Sequence, residues 1–141
     1  MQVILGADVE GFQLKEHIKQ FLLQQDYDVM DVTPQQDNHF VTATNRVVEE
    51  VKGTSASGII IDKYGVGSFM VANKCKGVIC ANVSDEHTAK MTRDHNNTSI
   101  ITIGSGMIGT TLAERIVEVF LQSEYSGGRH QIRVDMLNKM C

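Results

Sequence analysis

The chain has 141 residues, of which 42% are hydrophobic and 21% charged, and its formal net charge at pH 7 is −4. These values are typical of one globular domain, here 1–141, and they argue against a disordered chain or a general nucleic-acid binder, which would carry a basic face. No apolar run approaches the roughly 20 residues that cross a bilayer, and three cysteines without close spacing favour a reducing compartment, so we expect a cytoplasmic protein.

The first half of the chain alternates strand and helix patterns. Residues 2–6 form a short apolar strand, and apolar residues recur at intervals of three and four over 14–25, which predicts an amphipathic helix. A second strand covers 27–32, and the polar segment 35–39 is expected to be a surface loop. Valines over 41–51 then mark a second helix.

Residues 58–74 form the central unit, which we predict to be a strand, a tight turn and a helix. In a parallel sheet such a turn lies at the carboxyl edge, where free backbone N–H groups can hold an anion. Gly65 and Gly67 would let the backbone approach that anion closely. Asp62, however, ends the strand, and a fixed carboxylate there would repel a phosphate.

The second half of the chain repeats the same alternation. We predict strands over 77–81 and 99–104, each followed by a helix, over 85–93 with Ser84 as N-cap and over 107–121. Repeated β-α units with short connections predict an α/β, three-layer Rossmann-like fold. Its sheet would have five parallel strands with helices on both faces.

The segment 104–109 satisfies the G-x-G-x-x-G pattern of dinucleotide-binding proteins. That pattern expects a second strand ending in an acidic residue about 20 residues later. Glu124 has the right spacing, but glycines follow it and no strand precedes it. A nicotinamide-dependent oxidoreductase is therefore a weakly supported alternative.

The segment 93–97 reads Arg-Asp-His-Asn-Asn and is predicted to lie between a helix and a strand, at the edge where a parallel sheet places its functional loops. His95 is a candidate general acid or base, and Asn96 offers side-chain donors. A histidine next to a helix C-terminus can equally be a cap. His17, His39 and His87 are not part of such a motif, and a surface or capping role is expected for them.

Arg129 and Arg133 are spaced i and i+4 in the last segment, so a helix would place both on one face. Two planar guanidinium groups on one face suit a phosphate. The alternatives are a solvated face or a salt bridge to Asp135 or Glu124. The C-terminal helix, over 127–141, has no strand of its own to cover, so we expect it to dock on a partner subunit.

Several short motifs, in order along nearly the whole chain, resemble one known family. They are Asp8 with Gly11, the helix end 71–74, Arg93-x-His95-Asn96, Gly104-Ser105 and the segment 127–133. Together they resemble the ribose-5-phosphate isomerase B and galactose-6-phosphate isomerase family. Within it, the loop 62–70 and the tail 133–141 are similar to the A-subunit branch, whose members pair with a longer B subunit.

The resemblance implies an incomplete active site. Family members with a complete loop place a cysteine base where this chain has Asp62 and a threonine where it has Tyr64. None of the three cysteines is placed to replace that base. Asp62, Tyr64, Gly65 and Gly67 would thus form a degenerate site, and Asp8 would either contact sugar or cap the first turn.

By the same resemblance, the working site lies between this chain and the B subunit. His95 would open the sugar ring, while Arg129, Arg133 and Asn96 would hold the 6-phosphate. The B subunit's cysteine would convert galactose 6-phosphate to tagatose 6-phosphate, as in lactose and galactose catabolism. Only protons move, so no cofactor and no metal are implied. Two alternatives remain open, a non-catalytic subunit of the same complex and a ribose-5-phosphate isomerase B-like enzyme.

Overall fold

The computed structural model describes all residues, Met1–Cys141. Five strands and six α-helices alternate along the chain, and a short 3-10 helix (Gly128–His130) precedes the last helix. The strands are β1 (Gln2–Ala7), β2 (Asp28–Asp31), β3 (Ser57–Asp62), β4 (Cys80–Asn82) and β5 (Ile100–Gly104). The helices are α1 (Phe12–Gln24), α2 (Phe40–Val51), α3 (Val66–Asn73), α4 (Glu86–Asn96), α5 (Thr110–Gln122) and α6 (Gln131–Lys139).

The five strands form one parallel sheet in the order β2-β1-β3-β5-β4. Every residue of the central strand β3 is buried, because helices cover both of its faces. Ile59 and Ile61 belong to the core on one face, with α1, α4 and α5. Ile60 belongs to the core on the other face, with α2 and α3. The predicted parallel five-stranded sheet with helices on both faces is confirmed.

Helix α4 differs from its prediction at both ends. Its N-cap is Asp85, whose Oδ1 accepts a hydrogen bond from the Thr88 N–H at 2.6 Å, so the prediction of Ser84 is wrong. The helix continues to Asn96 and ends because Asn97 adopts the left-handed conformation (φ 52°). His95 therefore lies on the last helical turn and not in a loop.

Two other element boundaries also differ from the predictions. Strand β4 begins at Cys80, three residues later than predicted, because Gly77 is in a turn with φ of 81°. Helix α5 begins at Thr110 because 105–109 are used for the turn after β5. None of the helices has the length and hydropathy of a membrane span.

Helix α6 buries only one residue, Val134. Ile132, Met136 and Met140 follow each other at intervals of four and are 71%, 56% and 56% exposed. They form an apolar row on one side of α6, which Met140 extends directly after the helix ends. Such a row is what docking on another subunit would require, and that docking remains a prediction.

Candidate active site

The last turn of α4 is anchored at the amino edge of the sheet by Arg93. Its Nη1 donates to the Thr98 carbonyl at 2.6 Å, and its Nη2 donates to the Oγ of Ser57, the first residue of β3, at 2.9 Å. The guanidinium also lies 5.0 Å from the centre of the Phe120 ring. Burial lowers the pKa of Arg93 below its usual value. Arg93 is thus a structural residue that fixes the last turn of α4, which carries His95 and Asn96.

The prediction that His95 lies at the edge with the functional loops is wrong. In a parallel sheet those loops follow the strands, at the carboxyl edge, whereas a helix that returns antiparallel to them ends at the amino edge. Ser57 and Asp62 are the two ends of β3, which spans about 17 Å at roughly 3.3 Å per residue. The predicted site residues are therefore split between opposite edges of one sheet.

The imidazole ring of His95 stacks on that of His130. The ring centres are 4.2 Å apart and the planes differ by 15°. The Ser126 N–H donates to the Asp94 carbonyl at 3.0 Å, so the chain leading to the 3-10 helix is attached beside the end of α4. Both histidines are partly exposed.

Arg129 and Arg133 extend this histidine pair into a cationic cluster. Arg129 lies in the 3-10 helix and Arg133 on the first turn of α6, where its Nη1 donates to the Arg129 carbonyl at 3.4 Å. Burial lowers the pKa of His130, and the charges of His95 and of both arginines lower it further. Arg129 and Arg133 therefore supply the positive charge of the cluster, which favours binding of an anion.

Neither arginine forms an ion pair, which contradicts the alternative of a salt bridge to Asp135 or Glu124. Asp135 instead accepts a hydrogen bond from Gln131 Nε2 at 2.7 Å. Both arginines are exposed, and apart from the hydrogen bond of Arg133 Nη1 to the Arg129 carbonyl their guanidinium donors are free for a ligand.

Asn96 follows His95 on the last turn of α4 and is partly exposed. It lines a cavity of about 780 Å³ that runs along the edge strand β4, between α3 and α4. Leu137 and Met140 from the C-terminal segment line the same cavity, and most of its wall is hydrophobic. Asn96 thus stands between this apolar cavity and the cationic cluster.

At the carboxyl edge, the carboxylate of Asp62 occupies the N-terminal end of α3. Its Oδ2 accepts the Ser68 N–H at 3.1 Å, while Oδ1 has no partner and the residue is 5% exposed. A negative charge at this place is favoured by the helix dipole. The chain's own carboxylate therefore takes the position in which an anion would bind.

The two glycines of this loop pack against neighbouring elements. A Cβ on Gly65, whose φ is 75°, would lie 2.2 Å from Nδ2 of Asn82. A Cβ on Gly67 would lie 2.9 Å from the ring of Phe40. Both positions therefore require glycine for packing, and a role of their backbone in binding an anion stays a prediction.

Asp8 and Tyr64 complete the set of residues predicted from the loop. The Oδ1 of Asp8 accepts the Gly11 N–H at 2.9 Å, so the structure contains the turn cap, one of the two roles left open. Burial raises the pKa of Asp8, and the charge of Asp62 raises it further. Tyr64 is 59% exposed.

The turn of the 104–109 motif packs onto the same loop. Gly106 N–H donates to the Lys63 carbonyl at 2.7 Å, and Ser105 Oγ donates to the Glu10 carbonyl at 2.9 Å. These contacts close the glycine-rich turn, and no strand follows α5 to carry an acidic partner. The structure thus offers no further support for a nicotinamide site.

The three cysteines are distributed over different environments. Cys80 lies in β4 at 5% exposure, and its burial, with a contribution from Asp62, raises the pKa of its thiol. Cys75 is partly buried after α3, and Cys141 is exposed at the C-terminus. The structure contains no cluster of three side chains that could hold a metal ion.

A family model described as Ribose/Galactose Isomerase matches residues 3–137. The chain belongs to this family. Over its full length it is 54% identical to "Galactose-6-phosphate isomerase subunit LacA" of Staphylococcus aureus (strain JH9), in an alignment 142 positions long that covers both chains completely. The resemblance predicted from the motifs is thereby confirmed.

Solved structures of ribose/galactose isomerase family members have the same fold. Ribose-5-phosphate isomerase B of Clostridium thermocellum is 33% identical with a TM-score of 0.93, covering 98% of this chain and 95% of that one. The enzyme of Mycoplasma genitalium with bound ribulose-5-phosphate is 30% identical with a TM-score of 0.86, covering 97% and 93%. The fold of this chain is thus that of sugar-phosphate isomerases.

One residue of the cationic cluster, His130, was not singled out from the sequence. The residue stands in the motif 127–133 next to Arg129, but its contact with His95 depends on the turn that brings the 3-10 helix to α4. Its position between two arginines was the one signal that could have pointed to it.

Proposed function

We propose that this chain is the A-type subunit of a galactose-6-phosphate isomerase, which interconverts galactose 6-phosphate and tagatose 6-phosphate. The observation that carries the proposal is the 54% identity over the full length to the Staphylococcus aureus protein of that name. The cationic cluster at the end of α4 supports it, because it offers an acid–base group beside unpaired phosphate-binding side chains.

In this proposal the phosphate is held by Arg129 and Arg133, with Asn96 beside them. Guanidinium groups bind phosphate oxygens through paired, charge-assisted hydrogen bonds, and the two arginines have no competing carboxylate. His95 lies next to this phosphate site and exchanges protons with the sugar oxygens, which opens the pyranose ring.

The carbon proton transfer is assigned to a second subunit. Within this chain, Asp62 is engaged with α3 and lies at the opposite edge of the sheet from His95. Cys80 is buried with a raised thiol pKa, which disfavours the thiolate that a base requires. A longer B subunit that carries a cysteine would supply this step, as the family resemblance implies, and the proton would move between C2 and C1 through an enediol.

We assign the whole chain, 1–141, to one functional domain of a cytoplasmic hetero-oligomer. Three unpaired cysteines suit a reducing compartment. The exposed apolar row of α6 is the surface that we expect to contact the B subunit. Because only protons move in the reaction, the proposal includes no metal and no redox cofactor.

The direct test is to co-express the chain with the B-type chain and to purify the complex. Conversion of galactose 6-phosphate to tagatose 6-phosphate is then measured for each chain alone and for both together. We expect turnover only when both chains are present. If this chain alone converted galactose 6-phosphate as fast as the complex, the proposal would be refuted, because the chain would then contain a sufficient base of its own.

A second experiment separates a catalytic role from that of a non-catalytic subunit. His95→Gln in the complex should lower kcat by about 100-fold, the usual contribution of a general acid or base. The matched control is His17→Gln, because His17 is exposed on α1 and pairs with Glu114. Unchanged turnover in the His95 variant would indicate that the chain is only a scaffold.

The fold similarity to ribose-5-phosphate isomerases supports one alternative substrate. Ribose 5-phosphate should therefore be assayed beside galactose 6-phosphate with the same complex. We expect kcat/KM to be higher for the hexose phosphate. The reverse order would assign the chain to a ribose-5-phosphate isomerase.

A further inference from the structure

All three cysteines of the chain line one cavity, although Cys141 is far from the other two in sequence. It is the apolar cavity of about 780 Å³ that runs along β4. The three thiols are free and differ in exposure, since Cys141 is exposed, Cys75 is partly buried and Cys80 is buried. The fold therefore brings three oxidisable groups to the same cavity.

Two of these thiols lie against the end of helix α3. Cys141 Sγ is 3.5 Å from the Asn73 carbonyl oxygen, and Cys75 Sγ is 3.7 Å from the Val71 carbonyl oxygen. Both carbonyls belong to the last turn of α3, and Cys75 follows Asn73 by two residues. The last residue of the chain is thus next to the segment that carries Cys75.

The position of Cys141 at the C-terminus favours a bond to Cys75. A disulfide requires Cβ atoms roughly 3.5–4.5 Å apart and a defined torsion about the sulfur atoms. The backbone of Cys141 is held on one side only, so it can adjust to that geometry. Helix α6, which leads to Cys141, buries only Val134 and gives little resistance to a small movement.

Cys80, in contrast, is fixed and unreactive. The side chain of Asn73 holds its backbone in β4, because Asn73 Nδ2 donates to the Cys80 carbonyl at 2.9 Å and the Cys80 N–H donates to Asn73 Oδ1 at 3.0 Å. Burial raises the pKa of the Cys80 thiol, whereas the thiolate is the form that reacts. The two thiols available for oxidation are therefore those of Cys75 and Cys141.

We propose that Cys75 and Cys141 are a modification site, at which a hydroperoxide oxidises the two thiols to a reversible disulfide. The Cys141 thiolate attacks a peroxide oxygen and the O–O bond breaks. Cys141 becomes a sulfenic acid, and the leaving hydroxide takes the proton released from the thiol to form water. The Cys75 sulfur then attacks the Cys141 sulfur, and the hydroxyl group leaves with the Cys75 proton as a second water.

The balance for hydrogen peroxide is two thiols and one peroxide to one disulfide and two waters. The two sulfur atoms are oxidised and the peroxide oxygens are reduced. A dithiol reverses the modification by thiol–disulfide exchange. Disulfides of this transient, redox-sensing kind are the ones that occur in a reducing compartment.

The bond would fix the C-terminal segment on its own chain. In the reduced chain α6 is held by one buried residue, Val134. The disulfide would close a loop from residue 75 to residue 141 and add a covalent attachment directly after the helix. Leu137 and Met140, which line the cavity, would be held over it. The oxidation state would therefore control the mobility of the helix that we expect to contact the B subunit.

The test treats the purified full chain with a small excess of hydrogen peroxide, followed by unfolding, labelling of free thiols and peptide mapping without reductant. We expect the labelled thiols to fall from three to one, with the remaining label on Cys80 and a linked peptide that contains Cys75 and Cys141. Dithiothreitol should restore all three. Absence of the linked peptide, or a link that includes Cys80, would overturn the proposal.

Dilution separates a bond within one chain from a bond between chains. The yield should stay the same over about a 100-fold dilution of the chain, because both thiols are supplied by the same molecule. Covalent dimers on a non-reducing gel, with a yield that falls on dilution, would assign Cys141 to an intermolecular bond and would overturn the proposal.

Cysteine variants and hydrogen exchange test the pairing and its effect. Cys75→Ser and Cys141→Ser should each abolish the intramolecular bond, and Cys80→Ala is the control that should keep it, with circular dichroism as a check of each fold. Exchange of the α6 amides with deuterium should slow at least about 10-fold after oxidation, but not in peroxide-treated Cys141→Ser. Equal exchange before and after oxidation would refute the attachment of α6. The experiment needs no isomerase activity, so its outcome is independent of the proposed function.

Discussion

Arg93 Nη2 donates a hydrogen bond to Ser57 Oγ at 2.9 Å, which fixes the end of α4 at the amino end of the central strand. Asp62 ends the same strand at the carboxyl edge. The two groups of site residues in one chain thus face opposite edges of the sheet. A site that uses both groups requires two chains, with the amino edge of one facing the carboxyl edge of the other.

Replacement of the anchoring arginine should destabilise the chain. Arg93→Met removes the donors to the Thr98 carbonyl and to Ser57 and leaves both acceptors unpaired. We expect a loss of about 2–4 kcal/mol in the free energy of unfolding, measured by urea denaturation. Arg115→Met is the matched control, because Arg115 is exposed on α5 and should change stability by less than about 0.5 kcal/mol. Equal losses would contradict the anchoring role.

The phosphate clamp can be tested in the mixed enzyme. Arg133→Ala should raise KM for galactose 6-phosphate by about 10- to 100-fold, because a charge-assisted pair contributes roughly 1.5–3 kcal/mol. Neither Arg115→Ala nor a change at His17 should alter KM, since both residues are exposed away from the cluster. If all three substitutions have the same effect, the arginine pair does not bind the phosphate.

The apolar row of α6 offers a test of assembly. Met136 is 56% exposed, so Met136→Asp should leave the fold of the chain intact while it places a charge in the expected interface. When the variant is mixed with the B-type chain, we expect size-exclusion chromatography to show two separate chains and no complex. Leu23→Asp, at a 46% exposed position on α1, is the control that should still form the complex. Complex formation by both variants would exclude α6 from the interface.

The cysteine environments predict a graded thiol reactivity. Cys141 is exposed and should react with a thiol reagent at pH 8 within minutes. Cys80 is buried with a raised thiol pKa, so it should react only when the chain is unfolded. Titration of native and denatured protein, with mass spectrometry to locate the labels, measures both. Rapid labelling of Cys80 in the native chain would restore it as a possible base.

The regular parts of the fold were predictable from local patterns. The run Ile59, Ile60 and Ile61 predicts a buried strand, and it is the centre of both hydrophobic cores. The length of α4 was not predictable in the same way, because Asn97 ends the helix by adopting a left-handed conformation that apolar periodicity does not indicate. That difference moved His95 from a loop to a helical turn.

Long-range contacts account for the errors at the site. Local pattern also did not indicate that Asn82 and Phe40, distant in sequence, pack where a side chain at Gly65 or Gly67 would lie. Likewise the contact of His95 with His130 follows from a turn with positive φ at 127–128. Local patterns therefore identified the residues of the cationic cluster except one, but not the edge of the sheet on which they lie.

A buried ion pair between α1 and the end of β2 should make the stability of the fold depend on pH in the acid range. Lys15 is fully buried, and its Nζ donates to Asp31 Oδ2 at 2.7 Å and to the Thr33 carbonyl at 2.8 Å. Burial by itself would raise the pKa of Asp31, but the hydrogen bonds from Lys15, Thr33 and Lys19 lower it below its ordinary value. The ionised carboxylate is thus favoured in the folded chain.

Because the pKa of Asp31 is lower in the folded than in the unfolded chain, its stabilisation is complete above the unfolded pKa of about 3.9 and disappears as the pH falls through the folded value. Asp31→Asn should cost about 2–3 kcal/mol at pH 7, since it removes the closer of the two carboxylates that pair with buried Lys15 and leaves only the partly exposed Glu16 at 3.1 Å. It should also flatten the loss of stability between pH 5 and 2, roughly the range over which such a carboxylate titrates. Urea denaturation over this range measures both effects. Asp28→Asn, at an exposed position of the same strand, should retain the acid response of the unmodified chain, and an identical response from both variants would exclude Asp31 as its source.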